Sequence, residues 1–337
     1  MSIVLDAMGS DDFPLPEIKA AAELARTGEN VILVGKKELV LAKAAEISVD
    51  LSSIEIVDAP DMIEMIDKPV DSFKKKPNNS MAIGLGLVRD KKAEAFVSAG
   101  NTGAAYFNAV MTLRKIPGIS RPALAALIPV EGGKCVFMDT GANADCRPEF
   151  LLEFAVMGSV YASKVLNVET PTVALLSNGE EAGKGNQLVK DAFPFLKDSG
   201  LNFIGNVEPK EIYGGKVNCV VTDGFSGNVF IKSSESVAKL ITDTLKEEIK
   251  SSLRNQLGYL LAKPAFTALR SMMDPAETGA AILLGVNGLV FIGHGRSDAR
   301  ALVTAVKLAR RTVDADLLQS MQKEINTRIN LTHFSLN

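Results

Sequence analysis

The strongest constraint on this chain is an alternation. Short apolar, β-branched runs (SIVLDA from Ser2, NVILVG from Asn30, SIEIVDA from Ser53) are separated by stretches of helical spacing, LPEIKAAAELA and KKELVLAKAAEI. The rhythm returns at KCVFMDTGAN, TVALLSNGEE, LNFIGNVE, VNCVVTDGFSGN and GLVFIGHG. Repeated strand–helix units imply an α/β fold, a mainly parallel sheet with helices on both faces. No Pro/Ser-rich linker, low-complexity tract or repeat interrupts the pattern, so residues 1–337 are expected to form one α/β unit, at most bilobed. The exception is 233–273, a strand-free excursion that reads as long helices.

In an open parallel sheet, ligands bind beyond the carboxyl ends of the strands. Here those ends carry Asp6, Gly9 and Ser10; Ser98, Gly100, Asn101 and Thr102; Asp139, Gly141 and Asn143; Asn178, Gly179, Glu180 and Lys184; and Asp223, Gly224, Ser226, Gly227 and Asn228. Each turn alone is ordinary loop chemistry. A strand that runs through such a turn into a helix also points backbone N–H groups and a positive dipole end at one spot, where anions bind. VSAGNTGAAYF, from Val97, and CVVTDGFSGNVF, from Cys219, are two junctions of this kind, with the lysine-bearing turn NGEEAGKGN between them. Together they suggest a phosphate site.

Composition removes several alternatives. With 47% hydrophobic and 23% charged residues the chain has the profile of a globular enzyme, and its net charge of −3 provides no field to recruit nucleic acid. Three cysteines without paired spacing fit a reducing cytoplasm, and only His294 and His333 are available as histidines, so a Cys/His metal site is not expected. The opening MSIVLDAMGSDDFP lacks a basic segment and cleavage site, so no secretory signal is expected, and no apolar run reaches the ~20 residues of a membrane span.

Two nucleotide motifs also fail. In NGEEAGKGN three residues separate Gly179 from Gly183 and Gly185 follows Lys184, which breaks the P-loop pattern; GLGLVRD at Gly84 lacks the third glycine of a dinucleotide fingerprint. Lys184 remains able to act as a point charge on a phosphate or carbonyl. Cys146 in GANADCRP is either an acyl-accepting thiolate or a small packed side chain, and His294 in FIGHGRSD is either an acid/base or phosphate donor or a surface histidine.

Read in order, LDAMGSDDFP, MIDKPVDSFKKKPNNSM, FVSAGNTGA, SRPALA, DTGANADCRPE, GEEAGKGN, NFIGNVE, DGFSGNVFIK, LAKPAF, DPAETGAAILLGVNG and HGRSD span Asp6 to Asp298. This series resembles the bacterial acyl-acyl carrier protein:phosphate acyltransferases, the PlsX family. Ser10 stands where that family usually has glycine, and KKKPNNS and LLSNGEE depart locally from its usual stretches. The resemblance implies a fold like phosphotransacetylase and isopropylmalate dehydrogenase, a homodimer, and no cofactor or metal. It implies reversible transfer of an acyl group from acyl carrier protein to inorganic phosphate. The acyl phosphate then feeds a membrane glycerol-3-phosphate acyltransferase and phospholipid synthesis.

On that resemblance, Ser98, Gly100, Thr102, Asn143, Ser226, Gly227, Asn228 and His294 are expected around phosphate and substrate. Lys184 and Asn101 would face the developing oxyanion, with Asp223 as base or turn brace. An acyl-CoA phosphotransacetylase, or an NAD-dependent decarboxylating dehydrogenase using metal-binding aspartates, are the alternatives.

The helical excursion carries a further expectation. Val237, Ile241, Leu245, Ile249 and Leu253 recur every four residues, a stripe suited to a partner copy. From Ile249 to Met273 there is no Asp or Glu, while Lys250, Arg254, Lys263 and Arg270 are interspersed with Leu257, Tyr259, Leu260, Leu261, Phe266, Leu269, Met272 and Met273. That mixture suits reversible contact between a cytoplasmic protein and an anionic membrane.

Overall fold

The computed structural model describes residues 2–273 and 279–335; within these, side chains of 270–273 and 329–335 are left aside. Arg270, Met272 and Met273 therefore lie outside the described side chains, and 274–278 of the DPAETG motif outside the described residues.

The first half alternates as the sequence implies: β1 (Ser2–Asp6), α1 (Leu15–Arg26), β2 (Val31–Gly35), α2 (Lys37–Glu46), β3 (Glu55–Asp58), α3 (Pro69–Lys75), α4 (Ser80–Arg89), β4 (Ala93–Ser98) and α5 (Thr102–Leu113). Then come β5 (Ala123–Val130), β6 (Gly133–Met138), α6 (Pro148–Val165), β7 (Val173–Leu176), α7 (Gln187–Lys197), β8 (Phe203–Val207), α8 (Pro209–Tyr213) and β9 (Cys219–Val221). The long helices α9 (Gly224–Lys250) and α10 (Leu253–Met273) follow, then β10 (Ala281–Leu284), β11 (Leu289–Ile292), α11 (Ala299–Asp314) and α12 (Leu317–Ser335). The excursion thus starts at Gly224, earlier than its polar-to-apolar pattern suggested, because Asp223 caps α9 by accepting from the Ser226 N–H.

All strands join one sheet in the order β3-β2-β1-β4-β11-β10-β5-β6-β9-β7-β8. Pairing is parallel except where β10 meets β11 and β5, and where β5 meets β6. Following these pairings, β1 to β4 and β11 run one way, and β6 to β9 run the other. The polar carboxyl ends therefore do not share one edge. Asp6, Ser98 and the residues after Ile292 lie on one edge, and Asp139, Asn178 and Asp223 on the opposite edge.

What joins the two edges is packing on the faces. One face carries a single core that spans both halves, from Ile3 and Leu5 on β1 to Val136 and Met138 on β6 and Cys219 and Val221 on β9. The other face carries two separate cores. Val4, Phe96, Leu124 and Leu283 pack under α4 and α5, whereas Ile128, Phe137, Ala174 and Val220 pack against Phe230 and Ile231 of α9. Between them β5 presents Ala126, only half-buried, and β10 presents Ala281 one step along the register that pairs Ile282 with Ala125. Two small residues where neighbours bury leucine, isoleucine and phenylalanine leave a groove between α5 and α9.

Candidate active site

The turn after β6 is organised by one carboxylate. Asp139 is fully buried, and its Oδ1 accepts from the N–H groups of Leu124 (3.1 Å), Gly141 (3.1 Å) and Ala142 (2.9 Å). Its Oδ2 accepts from the Asn143 N–H (2.7 Å) and amide (2.9 Å). Burial raises the Asp139 pKa while these donors oppose the shift. The Asn143 amide also donates to the Pro122 carbonyl, and the Asn143 carbonyl accepts from Gly224 N–H at 2.7 Å. The first turn of α9 consequently rests on this loop: a Cβ at Gly227 would land on the Asp139 carbonyl oxygen, and one at Gly224 would lie 2.6 Å from that of Asn143. Asn228 packs beside Gly141. Asn143, Asp223, Gly227 and Asn228 thus come together, while Ser226, half-buried, gives its N–H to Asp223.

At the opposite edge the SAGNTG turn is braced from beneath. Ser98 is fully buried; its hydroxyl donates to Asp6 Oδ2 at 2.7 Å and accepts from Gly100 N–H at 3.0 Å. Asn101 caps α5 by accepting from Ala104 N–H, and its amide donates to the carbonyls of Met65 (2.9 Å) and Asp67 (3.2 Å). These three residues shape the turn and hold a neighbouring segment. Thr102, exposed at the start of α5, is the member of the set that faces outward. The Gly293 N–H donates to Ser98 O, which brings the His294 turn alongside.

Both edges contribute to the groove. From α5, half-buried Tyr106 hydrogen bonds with Arg121; burial raises its pKa, the arginine opposes the shift, and the Asp139 charge adds to it. From α9, Asn228, Lys232 and Glu235 share one flank of the helix. Glu235 reaches His294 Nε2 at 3.4 Å and Arg296 at 3.5 Å, and the contact with His294 holds its carboxyl below the usual range. Arg121, Tyr106, Lys232 and Glu235 received no site role from sequence; Arg121 lay in the quoted SRPALA motif, but nothing local marked it as facing a groove.

Lys184 stands apart. Its turn follows β7, two strands out from β6 and so about 10 Å away. The stem folds over Gly179, and Asn178 fixes the loop by accepting from Gly185 N–H. Lys184 itself is exposed. Nearby, Glu180, Glu208 and Glu211 converge on Lys210 Nζ at 3.3, 3.1 and 3.5 Å, so a fixed ammonium already balances that acidic group. Cys146 is half-buried, and burial pushes its thiol up to about 12, the state opposite to an activated thiolate.

Residues 1–320 match the family model described as fatty acid synthesis protein. The chain belongs to this family. A phosphate acyltransferase of Acidobacterium capsulatum is 44% identical over 326 residues, covering 96% of each chain. One from Dictyoglomus turgidum is 44% identical over 329 residues, covering 97% of this chain and 98% of the relative. These phosphate acyltransferases support acyltransferase activity for the present member of the family. Among solved structures, a phosphotransacetylase from Streptococcus pyogenes superposes with a TM-score of 0.62 at 20% identity, covering 94% of each chain. A 4-hydroxythreonine-4-phosphate dehydrogenase from Klebsiella pneumoniae reaches 0.52 at 14%, covering 93% and 98%. The shared fold is therefore that of phosphotransacetylases and dehydrogenase-like enzymes.

Proposed function

We propose that the protein transfers an acyl group reversibly from acyl carrier protein to inorganic phosphate, giving acyl phosphate and the free carrier thiol. One observation carries the reading: every carboxylate the structure brings to the groove is already engaged, Asp139 and Asp223 by backbone N–H groups and Glu235 by His294 and Arg296, while Arg121 and Lys232 stand exposed beside them. Such a groove favours a phosphate dianion over the carboxylate-held metal and diacid of a decarboxylating dehydrogenase.

Phosphate is the nucleophile, so no protein nucleophile is required. A phosphate oxygen bonds to the thioester carbon, the C–S bond breaks, and the phosphate proton ends on the departing sulfur. The protein's part is to hold phosphate and thioester in line and to stabilise the oxyanion. Thr102, Ser226, Asn228 and His294 are assigned to phosphate and substrate. Ser98, Gly100, Asn101, Asn143, Asp223 and Gly227 are assigned to the turns that place them. The raised Cys146 thiol agrees with direct attack.

Lys184 is assigned to the oxyanion as an exposed ammonium on the same sheet edge as Asp139. Lys184→Ala is expected to lower acyl-phosphate formation by about 10²–10³-fold with the fold intact. A near-normal rate would strike Lys184 from the mechanism. The donor is tested by trapping acyl phosphate with hydroxylamine, acyl carrier protein and acyl-CoA donors side by side. Preference for CoA would instead support a phosphotransacetylase.

In this reading the product feeds membrane phospholipid synthesis from a cytoplasmic homodimer. Val237, Leu240 and Ile241 are exposed along α9, a stripe suited to a second copy. On α10, Leu253, Leu257, Leu260 and Leu261 are exposed beside Arg254 and Lys263, a surface suited to anionic lipid. No helix among the described residues is long and apolar enough to cross a membrane.

A further inference from the structure

An acyl phosphate has two unlike ends, and the groove serves one of them. The side chains around it, Tyr106, Arg121, Asn228, Lys232, Glu235 and His294, are polar or charged, and its floor is two alanines. An alkyl chain attached to a carbonyl held there must leave over another surface.

The segment between β3 and α3 meets that requirement. Met65, Ile66 and Val70 are 45%, 87% and 47% exposed, three large apolar side chains within six residues. They are not on a free loop. The Asn101 amide holds the carbonyls of Met65 and Asp67, and Lys76 pairs with Asp67. The Met65 methyl lies where a Cβ at Gly295 would meet it at 2.7 Å, and Pro69 lies 2.9 Å from a Cβ position at Gly103. The segment therefore bridges the Thr102 and His294 turns, at the mouth of the groove.

From there α3 runs alongside α5, Pro69 against Gly103 and Phe73 against the Phe107 ring at 5.4 Å. Beyond Phe73 a cavity of about 430 Å³ opens between α3, α4 and α5, lined by Phe73, Ile83, Leu87 and Thr112 together with the Arg89–Asp90 ion pair. α9 also exposes apolar side chains, Phe225 and Val229 on its first turns and Val237, Leu240 and Ile241 beyond, but among the described residues no cavity comparable to that between α3, α4 and α5 adjoins them.

We infer that Met65, Ile66 and Val70 receive the acyl chain as it leaves the site, and that the α3–α4–α5 cavity seats its distal end and sets chain-length preference. This rests on the acyl-phosphate reading above. Each buried methylene is worth about fourfold in affinity, so a seated chain discriminates steeply by length.

Two variants test it without threatening the fold. A Cβ at Gly86, on the cavity wall, meets nothing within 4 Å, so Gly86→Phe fills the cavity from open space; Ile66→Asp changes a surface side chain. Binding of palmitate and of butyrate is measured by calorimetry, and acyl-phosphate formation with palmitoyl and butyryl donors in parallel. The expected result is that both variants lose palmitate affinity and palmitoyl kcat/KM by about tenfold or more, with the butyryl rate unchanged. Unchanged palmitate binding in both variants, or no palmitate binding by the wild type, overturns the inference. Absence of acyl phosphate from every donor, with chain-length-dependent binding intact, would instead overturn the reaction assigned above.

Discussion

Glu17 is fully buried at the start of α1, with Oε1 accepting from the Ser10 N–H at 3.0 Å. Burial, with a smaller contribution from Asp6, pushes the Glu17 carboxyl up to about 7. The Ser10 hydroxyl lies beside the same carboxyl and, with the Ser10 N–H, opposes the shift that burial imposes. A carboxyl raised in the folded state binds its proton more tightly there than in the unfolded chain. Its contribution to stability is present below about pH 4.5 and is lost as pH rises through about 7. Glu17→Gln should remove that slope. Wild type should lose up to about 3 kcal/mol relative to the variant between pH 5 and 8, measured by urea unfolding. Parallel pH profiles would show that Glu17 stays ionised. Ser10 was legible as a departure from its family's glycine, but its place against the Glu17 carboxyl was not, because that depends on a helix seven residues away closing over it.

Among elements, the contact between α9 and the β6 turn holds the site together most tightly. Gly224 and Gly227 let the helix backbone touch the carbonyls of Asn143 and Asp139. Gly227→Ala leaves the helical sequence intact yet drives a methyl into the Asp139 carbonyl. A loss of about 2–4 kcal/mol is expected in denaturant titration, with activity lost in parallel. Wild-type stability would mean that α9 can stand off from the turn. The motif DGFSGN announced a turn; only the fold shows that its glycines serve helix-to-loop packing. The strands missed by periodicity are as instructive. ALAALIPV and AILL are short, almost wholly apolar runs without alternation, whose type periodicity does not declare. These are β5 and β10, the strands that reverse direction in the sheet. The parallel architecture was therefore legible and the placement of its polar ends was not.

For the molecule as a whole, α9 and α10 project an apolar surface that the described chain leaves uncovered. Wild type should sediment with anionic vesicles and not with neutral ones at low salt, and Leu257→Glu/Leu261→Glu should abolish this while the association state is unchanged. Equal sedimentation of both proteins would return these leucines to self-association. The basic, acid-free run was visible in sequence because it is a local pattern. The groove between α5 and α9 was not, since it arises from two alanines on strands more than a hundred residues apart.

The core behind the sheet sets how the two halves come undone. The groove divides only one face; on the other, residues from β1, β6, β7 and β9 share one apolar layer. Neither half can melt without stripping the other's side of that layer, so the halves form one thermal unit despite their separate front cores. Calorimetry of the wild type should show a single peak whose van't Hoff and calorimetric enthalpies agree. Two resolved peaks would mean that the shared layer fails to couple them.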